Sequence, residues 1–264
     1  MEDKFSKVGL YPFVAEQYMC NFRKQIFTSA LVQQMLATAD YHSRERGFGT
    51  SQLFPLGKTW VLSRFAIEIN DLPPRHAKYN IETYIENIVS FFSNRNFIAR
   101  YPDNSVVAYG RSTWAMLDIE TRRPCDIAEI SGGAMEKLVV PSTVPIAKPN
   151  RVNVDSNAPL FRVIETYYND VDFNGHINSC RYIEHVLDLF PMEWHKKYIV
   201  KRLDVIYSAE AHCGDKLKFY FDMKKSPAEL DAPLVEYKVR ICKQEPGSET
   251  ETECVRLKVL WRRF

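Results

Sequence analysis

The chain lacks the patterns that mark several common classes of protein. None of its six cysteines forms a C-x-x-C pair, and no histidine spacing completes a zinc site. No apolar run approaches the roughly 18 residues of a membrane-spanning helix, and the charged start Met1-Glu2-Asp3-Lys4 is not that of a signal peptide. A formal net charge of only +2 gives no bulk field for nucleic acid. We therefore expect a cytoplasmic protein with free thiols, without a metal or cofactor and without a nucleic-acid or membrane partner.

Glycine is also scarce, with 10 copies among 264 residues, whereas tyrosine and phenylalanine reach 14 and 16. Few glycines and many aromatic residues favour long strands over tight-turn or low-complexity architectures. Because 45% of the residues are hydrophobic, a chain of this length can bury a sizeable core without disulfide or metal staples.

A pattern of strand, helix and antiparallel strands occurs twice along the chain. In the first half, a strand over residues 5–14 precedes a helix that is capped by Thr28 or Ser29 and stops near Gly47. In the second half, a strand over residues 160–168 precedes a helix that runs from Asn178 to Phe190. The later strands are predicted at 60–69, 79–92, 96–101, 106–117, 198–211, 216–223, 234–243 and 252–261. This order predicts an α+β fold, and since identity between the halves is negligible, the repeat is one of pattern only.

Prolines separate the two halves. Pro141, Pro145, Pro149 and Pro159 interrupt a segment that has neither helical nor strand periodicity. We expect an extended linker over residues 141–159 that runs over the surface between domains at 1–140 and 160–264.

The stretch Asp172–Asn178 is the best candidate for a functional site. It places an acid, an amide, a glycine and an imidazole directly before an amphipathic helix. The N-terminus of a helix has free N–H groups and a positive dipole end that favour developing negative charge. An ordinary turn with an N-cap explains the same residue types, so the residues alone leave both interpretations open. The helix that follows is apolar over a wide face, which predicts enclosure by a curved sheet.

A helix wrapped by an antiparallel sheet, present twice, is the double hotdog pattern, and the sequence resembles the acyl-ACP thioesterase family. That family carries an Asp-x-Asn-x-His motif followed by a hydrophobic residue and Asn. Here Asp172, Asn174, His176, Ile177 and Asn178 stand at those positions. The resemblance covers most of the chain, and it therefore favours a reaction site over a plain turn.

Further landmarks of the family follow the motif. Tyr182 stands at the family's helix tyrosine, and Tyr207–Glu210 fits its Tyr-x-x-Glu segment, predicted here on a strand. Many plant members have a cysteine after that Glu, whereas this chain has Ala211, which disfavours a Cys–His mechanism. The first half contributes similar segments at Leu31–Gln34, Trp60, Asn94–Phe97, Ser112–Trp114 and Thr121–Pro124.

The resemblance implies hydrolysis of fatty acyl-ACP, with release of fatty acid and carrier. His176 or Glu210 would accept the proton of the attacking water, and Asp172 would orient the histidine or the water. Asn174 and a backbone N–H near Gly175 would stabilise the oxyanion, while Asn178 and Tyr182 support the loop and helix. Which group is the base stays open, and direct attack by a carboxylate is a further alternative.

The first half lacks the motif at its own helix start, so we expect one active site per chain. The first half would supply the acyl-chain pocket, for which the candidates are Leu31, Met35, Trp60 and Phe65. An acidic carrier protein would dock on a basic patch comprising Lys196, Lys197, Lys201 and Arg202. Because two hotdogs already complete the usual pairing, we expect a monomer or a loose homodimer.

Three alternatives remain at this point. A related hotdog enzyme, a 3-hydroxyacyl dehydratase, would also use a histidine and a carboxylate. A non-catalytic module would bind acyl-carrier protein without releasing thiol. A metal site built from His185, His195 and His212 is disfavoured because their spacing matches no zinc pattern.

Overall fold

The chain folds into two compact units that divide between Lys148 and Pro149, within the predicted linker. The structure is a computed structural model that describes residues 6–221 and 232–264. Each unit is described by itself below, and the two are called unit 1 and unit 2 in chain order.

Unit 1 wraps one long helix with an antiparallel sheet. Its elements are β1 (Gly9–Val14), α1 (Thr28–Glu45), α2 (Thr50–Leu53), β2 (Lys58–Ile69), β3 (Lys78–Val89), β4 (Phe92–Arg100), β5 (Val106–Asp118) and α3 (Ile127–Ser131). The strands pair in the order β1-β3-β4-β5-β2. Leu31, Val32 and Met35 of α1 are completely buried, as the helical periodicity predicts.

Polar side chains occupy the C-terminal end of α1 inside unit 1. The buried Arg95 of β4 donates hydrogen bonds to Ser43 of α1 and to Thr83 of β3. Burial lowers the pKa of its guanidinium to about 9, and burial also lowers the pKa of His42 to about 3. The negative end of the helix dipole favours a cation at this place. The ring of His42 is fixed because its Nε2 lies 3.0 Å from the Lys7 carbonyl oxygen.

Unit 2 has the same arrangement around a shorter helix. Its elements are β6 (Leu160–Glu165), α4 (Ser179–Leu187), α5 (Met192–Lys197), β7 (Tyr198–Tyr207), β8 (Lys216–Phe221), β9 (Leu234–Gln244) and β10 (Glu251–Arg263). The strands pair in the order β6-β8-β9-β10-β7. Both units therefore confirm the predicted α+β, double hotdog class.

Several predicted boundaries are wrong. Thr28 and Ser29 lie inside α1, and the residue before the helix is Phe27, which provides no side-chain cap. The helix expected to reach Phe190 ends at Leu187, and a separate helix starts after Pro191, since proline cannot continue a helix interior. The end of the predicted strand at 216–223 lies outside the described residues. A turn predicted at Ser226-Pro227 lies outside them as well.

The linker is not confined to the surface as expected. Val144, Ile146 and Val152 are at least nine-tenths buried. Its carbonyl groups accept hydrogen bonds from arginines, since that of Ile146 accepts from the buried Arg111 of unit 1 and that of Val152 from Arg256 of unit 2. These contacts hold residues 141–148 against unit 1 and residues 149–159 against unit 2.

Two further features of the structure concern the thiols and the length of the helices. All six cysteines are free thiols. No helix in residues 6–221 and 232–264 is long and apolar enough to cross a membrane.

We expect Gly9→Ala to destabilise unit 1 by about 1–3 kcal/mol, because an added Cβ is forced into a packed site. It would lie 2.7 Å from Tyr11 Cε2 and 2.8 Å from Cδ2 of His42, whose ring is fixed and fully buried. Urea unfolding measures the change. Leu10→Ala on the same strand is the control, since this side chain is 63% exposed and its loss should cost less than about 0.5 kcal/mol. Equal effects of the two substitutions would contradict the packing argument.

Candidate active site

One side-chain oxygen holds the loop that precedes α4. Asp172 Oδ1 accepts hydrogen bonds from the backbone N–H groups of Asn174, at 2.8 Å, and of His176, at 3.4 Å. The Asp172 N–H donates to the His176 carbonyl oxygen at 2.8 Å, and the Gly175 N–H donates to the Asp172 carbonyl oxygen at 3.0 Å. Gly175 has a φ of +81°, a conformation that glycine adopts without steric cost. The carboxylate is therefore part of the loop's frame, and its second oxygen forms no hydrogen bond within the described part of the chain.

The loop brings His176 to Glu210. Nε2 of His176 lies 3.4 Å from Oε2 of Glu210, and both side chains are about 30% exposed, at 27% and 31%. The Ile177 N–H donates to the Ala211 carbonyl oxygen at 2.8 Å, which ties the two loops together. Glu210 lies after the end of β7 and not within a strand, so that prediction is corrected. A histidine and a carboxylate thus face each other at a partly solvated position, where a water molecule can lose a proton.

Asn174 is an exposed residue of the same loop as His176. Its side-chain amide forms no hydrogen bond among the described residues, so its donor is available to a bound group. A loop that carries an available amide donor and an imidazole provides two of the groups that acyl transfer uses.

The start of α4 is held by side chains on both sides. Asn178 caps the helix, since its Oδ1 accepts from the Cys180 N–H at 2.8 Å. The Tyr207 hydroxyl donates to the Ser179 carbonyl oxygen at 3.0 Å, and its ring packs edge-on against Tyr182. Burial raises the pKa of both tyrosines, so both hydroxyls stay neutral at physiological pH. These contacts hold the start of α4 in place, and a supporting role for Asn178 and Tyr182 stays a prediction.

His212, which the sequence analysis considered only as a metal ligand, lies against His176. Its ring meets that of His176 edge-on, with the ring centres 5.2 Å apart. The His212 N–H donates to Asp215 Oδ2 at 2.8 Å, and its carbonyl oxygen accepts from the Thr166 hydroxyl at 2.7 Å. Its position two residues after Glu210 was the available signal, since a turn brings such neighbours to the same loop.

The three histidines considered for a metal do not converge. His185 Nε2 lies 3.5 Å from Asp170 Oδ1, and His195 Nε2 lies 3.1 Å from the Leu187 carbonyl oxygen. No group of three or more potential metal ligands occurs among the residues that the structure describes.

The predicted acyl-pocket residues are placed in the core of unit 1. Leu31, Met35 and Phe65 are completely buried, and the half-buried Trp60 donates from Nε1 to the Phe48 carbonyl oxygen at 2.9 Å. A groove of about 850 Å³ lies on another face of α1 and is lined by other side chains, among them Phe13, Ala30, Gln33, Ala37, Tyr41 and Tyr79. The place of Leu31, Met35, Trp60 and Phe65 in an acyl pocket stays a prediction.

The predicted docking patch loses one of its four cations. Arg202 is bound to the fully buried Asp204, with Nε–Oδ2 at 2.9 Å and a terminal nitrogen to Oδ1 at 2.7 Å. Its side chain is only 11% exposed, so it is not available to a partner. Lys196 pairs with the neighbouring Glu193 at 2.7 Å, whereas Lys197 is exposed.

Unit 1 contains a loop with the same backbone frame. Asn21 Oδ1 accepts from the N–H groups of Arg23, at 2.8 Å, and of Gln25, at 3.5 Å. The Asn21 N–H donates to the Gln25 carbonyl oxygen, and the Lys24 N–H donates to the Asn21 carbonyl oxygen. Lys24 has a positive φ of 59°. The frame thus needs an acceptor oxygen but no charge.

The opposing loop corresponds as well. The Ile26 N–H donates to the Pro73 carbonyl oxygen at 2.9 Å, as Ile177 does to Ala211. This register places Leu72 where unit 2 has Glu210, and Gln25 where it has His176. The two units therefore share the backbone geometry of these loops. The positions of Asp172, His176 and Glu210 are occupied in unit 1 by Asn21, Gln25 and Leu72.

Comparisons with known proteins cover most of the chain. Family models described as acyl-ACP thioesterase N-terminal domain and acyl-ACP thioesterase C-terminal domain match residues 11–131 and 155–260. The structure of an acyl-ACP thioesterase from Bacteroides thetaiotaomicron is 36% identical, with a TM-score of 0.85, over 97% of this chain and 98% of that one.

Plant proteins are more distant. A 12:0-ACP thioesterase from Umbellularia californica shares the fold, with a TM-score of 0.81 at 18% identity over 98% of this chain and 99% of that one. A chloroplastic palmitoyl-acyl carrier protein thioesterase from Arabidopsis thaliana is 25% identical over 64% of this chain and 42% of that protein. The chain spans about half the length of the curated relatives it matches, with shares between 37% and 70%.

We expect Asn178→Ala to cost about 0.5–2 kcal/mol of unfolding free energy, because the first turn of α4 loses its side-chain cap. Asn178→Ser should recover most of this loss, since serine also accepts from the helix N-terminus. Denaturant unfolding provides the measurement. Phe27→Ala at the same position of α1 is the matched control, as no side-chain cap exists there to be lost. A cost for Asn178→Ala that serine does not recover would show that the cap is not its cause.

Proposed function

The chain belongs to the acyl-ACP thioesterase family, and on this premise we propose that it hydrolyses the thioester of a fatty acyl chain carried on an acyl carrier protein. The observation that carries the proposal is the 3.4 Å approach of His176 Nε2 to Glu210 Oε2, and the loop of His176 also carries the exposed amide of Asn174. The products are a free fatty acid and the carrier thiol, so the reaction ends elongation of the acyl chain.

The chemistry follows from the positions of these groups. A water molecule near His176 and Glu210 gives up a proton as its oxygen attacks the thioester carbonyl carbon. The side-chain amide of Asn174 donates to the carbonyl oxygen as it becomes an oxyanion. The backbone donor expected near Gly175 is not available, because the N–H groups of Asn174, Gly175 and His176 all donate to Asp172 within the loop. The carbon–sulfur bond then breaks, and the protonated imidazole or carboxylic acid returns the proton to the leaving thiolate.

Asp172 has a positioning role in this proposal. Its Oδ1 already accepts from two backbone N–H groups, which supports holding the loop over acting as the base. The division of proton transfer therefore lies between His176 and Glu210. The free thiols fit a cytoplasmic setting, and a monomeric or loosely dimeric state stays a prediction.

The direct test is incubation with acyl carrier protein loaded with chains of graded length. We expect thiol and free fatty acid to appear in equal amounts, without added metal, and acyl-CoA to serve as the comparison substrate. Thiol release is followed with a chromogenic reagent, and the acid by mass spectrometry. Formation of an enoyl product would identify a dehydratase instead, and stable binding without thiol release over hours would identify a carrier-binding module.

Substitutions in the site should reduce turnover while the fold remains. His176→Ala and Glu210→Gln each remove a proton-transfer group and should slow turnover by about 10²–10⁴-fold, or about 3–5 kcal/mol of barrier. Asp172→Asn should keep the loop, because Asn21 builds the same frame in unit 1, so its effect reports the charge alone. Rates are compared with unfolding free energies measured on the same samples. If His176→Ala and Glu210→Gln each stay within about threefold of the unsubstituted rate, the site assignment is wrong.

A further inference from the structure

Basic residues occupy the two loops of unit 1 that correspond to the candidate active site. The loops 21–25 and 72–76, here called the basic loop pair, are joined because the Arg75 N–H donates to the Lys24 carbonyl oxygen at 2.7 Å. The exposed side chains of Lys24, Arg75 and His76 lie on them. Unit 2 has no cation at the equivalent places of its two loops.

The equivalence follows from matching hydrogen bonds. The His76 N–H donates to the Ala15 carbonyl oxygen at 2.8 Å, and the Gly214 N–H donates to that of Thr166 at 3.0 Å. His76 therefore corresponds to Gly214 and Arg75 to Cys213. Lys24 corresponds to Gly175 through the frame described above.

Two of these basic loop residues adopt a backbone conformation that side chains disfavour. Lys24 has a φ of 59° and His76 a φ of 69°, whereas their counterparts Gly175 and Gly214 have φ of 81° and 89°. Glycine occupies this left-handed region without the steric cost that a Cβ brings. Strain of this kind is retained where the side chain serves a purpose outside the fold itself.

The cations of the basic loop pair are available to a partner. Neither Lys24 nor Arg75 forms an ion pair within residues 6–221 and 232–264. Of the carboxylates on or beside these loops, Asp71 accepts from the Tyr101 hydroxyl at 3.1 Å, and Glu16 is exposed. Exposed aromatic side chains adjoin the loops, at 80% for Tyr18 and 51% for Phe22.

We propose that the basic loop pair binds an acidic protein surface, and that its occupant is the acyl carrier protein. The inference rests on the proposed function, which supplies that carrier as the bearer of the substrate. Cations interleaved with exposed aromatic residues match a protein partner, since aromatic groups supply contact area while the charges steer an acidic surface. The basic loop pair includes no amphipathic helix of the kind that binds lipid surfaces. Because Arg202 is paired with Asp204, the patch predicted in unit 2 has fewer cations for a carrier than expected, and a second basic surface can contribute to recognition.

The test uses the triple variant Lys24→Gly/Arg75→Ser/His76→Gly, in which each basic residue is replaced by a small one. Lys24 and His76 become glycine because unit 2 has glycine at both equivalent positions. We expect KM for acyl-ACP to rise about tenfold with kcat little changed, because the exposed charges of Lys24 and Arg75 and the imidazole of His76 are lost. The ratio of kcat/KM for acyl-ACP to that for acyl-pantetheine, which lacks the protein, should fall by the same factor. The rise of KM with salt should become weaker. Relief of strain by Lys24→Gly alone should raise the melting temperature by about 2 °C, so a folding defect does not explain the loss.

Lys137→Ala is the matched control, since this exposed lysine of unit 1 lies outside the basic loop pair. An unchanged acyl-ACP to acyl-pantetheine ratio in the triple variant, or an equal fall with Lys137→Ala, would overturn the inference. The inference would also be overturned if the three residues were needed for binding to anionic vesicles while the triple variant kept its affinity for the carrier protein. If the unsubstituted enzyme releases no thiol from either substrate, the proposed function has failed. Calorimetric titration with holo-carrier protein then tests the inference separately. The inference requires that the triple variant binds the carrier more weakly than the unsubstituted protein does.

Discussion

Both units depend on one hydrogen-bonded frame ahead of the long helix. A side-chain oxygen, from Asn21 in unit 1 and Asp172 in unit 2, accepts from two backbone N–H groups two and four residues later. The next isoleucine then ties this loop to the loop after a long strand. Because a neutral amide forms the frame as well as a carboxylate does, the loop's shape requires an acceptor and not a charge. The negative charge of Asp172 is therefore additional to the fold.

The frame also explains how two units of equal architecture differ in chemistry. Side chains that point away from the frame change without disturbing it, as with Gln25 against His176 and Leu72 against Glu210. In unit 1 the Gln25 side-chain amide donates to the Leu72 carbonyl oxygen at 3.3 Å, where unit 2 has the imidazole and carboxylate. Position 72 is buried and apolar, so no water is activated there. Geometry alone does not make a site, and the residue types on it decide its activity.

Sequence periodicity predicted much of this structure for identifiable reasons. Alternating apolar positions fix strands, and the apolar stripes fixed α1 and α4, so the order of elements followed. Local backbone geometry did not follow, which is why Glu210 was placed on a strand and why the break at Pro191 was missed. The ion pair of Arg202 with Asp204 was foreseeable, since residues two apart on a strand share a face. The corresponding frames were hidden, because their hydrogen bonds use main-chain atoms that any sequence provides.

The remaining chemical question is what holds His176 in place. Its backbone is fixed on both sides, since its N–H donates to Asp172 Oδ1 and its carbonyl oxygen accepts from the Asp172 N–H. Its ring has Glu210 at Nε2 and the edge-on ring of His212 at 5.2 Å. A ring constrained in this way loses little rotamer freedom when substrate binds, so the cost of orienting it is met during folding.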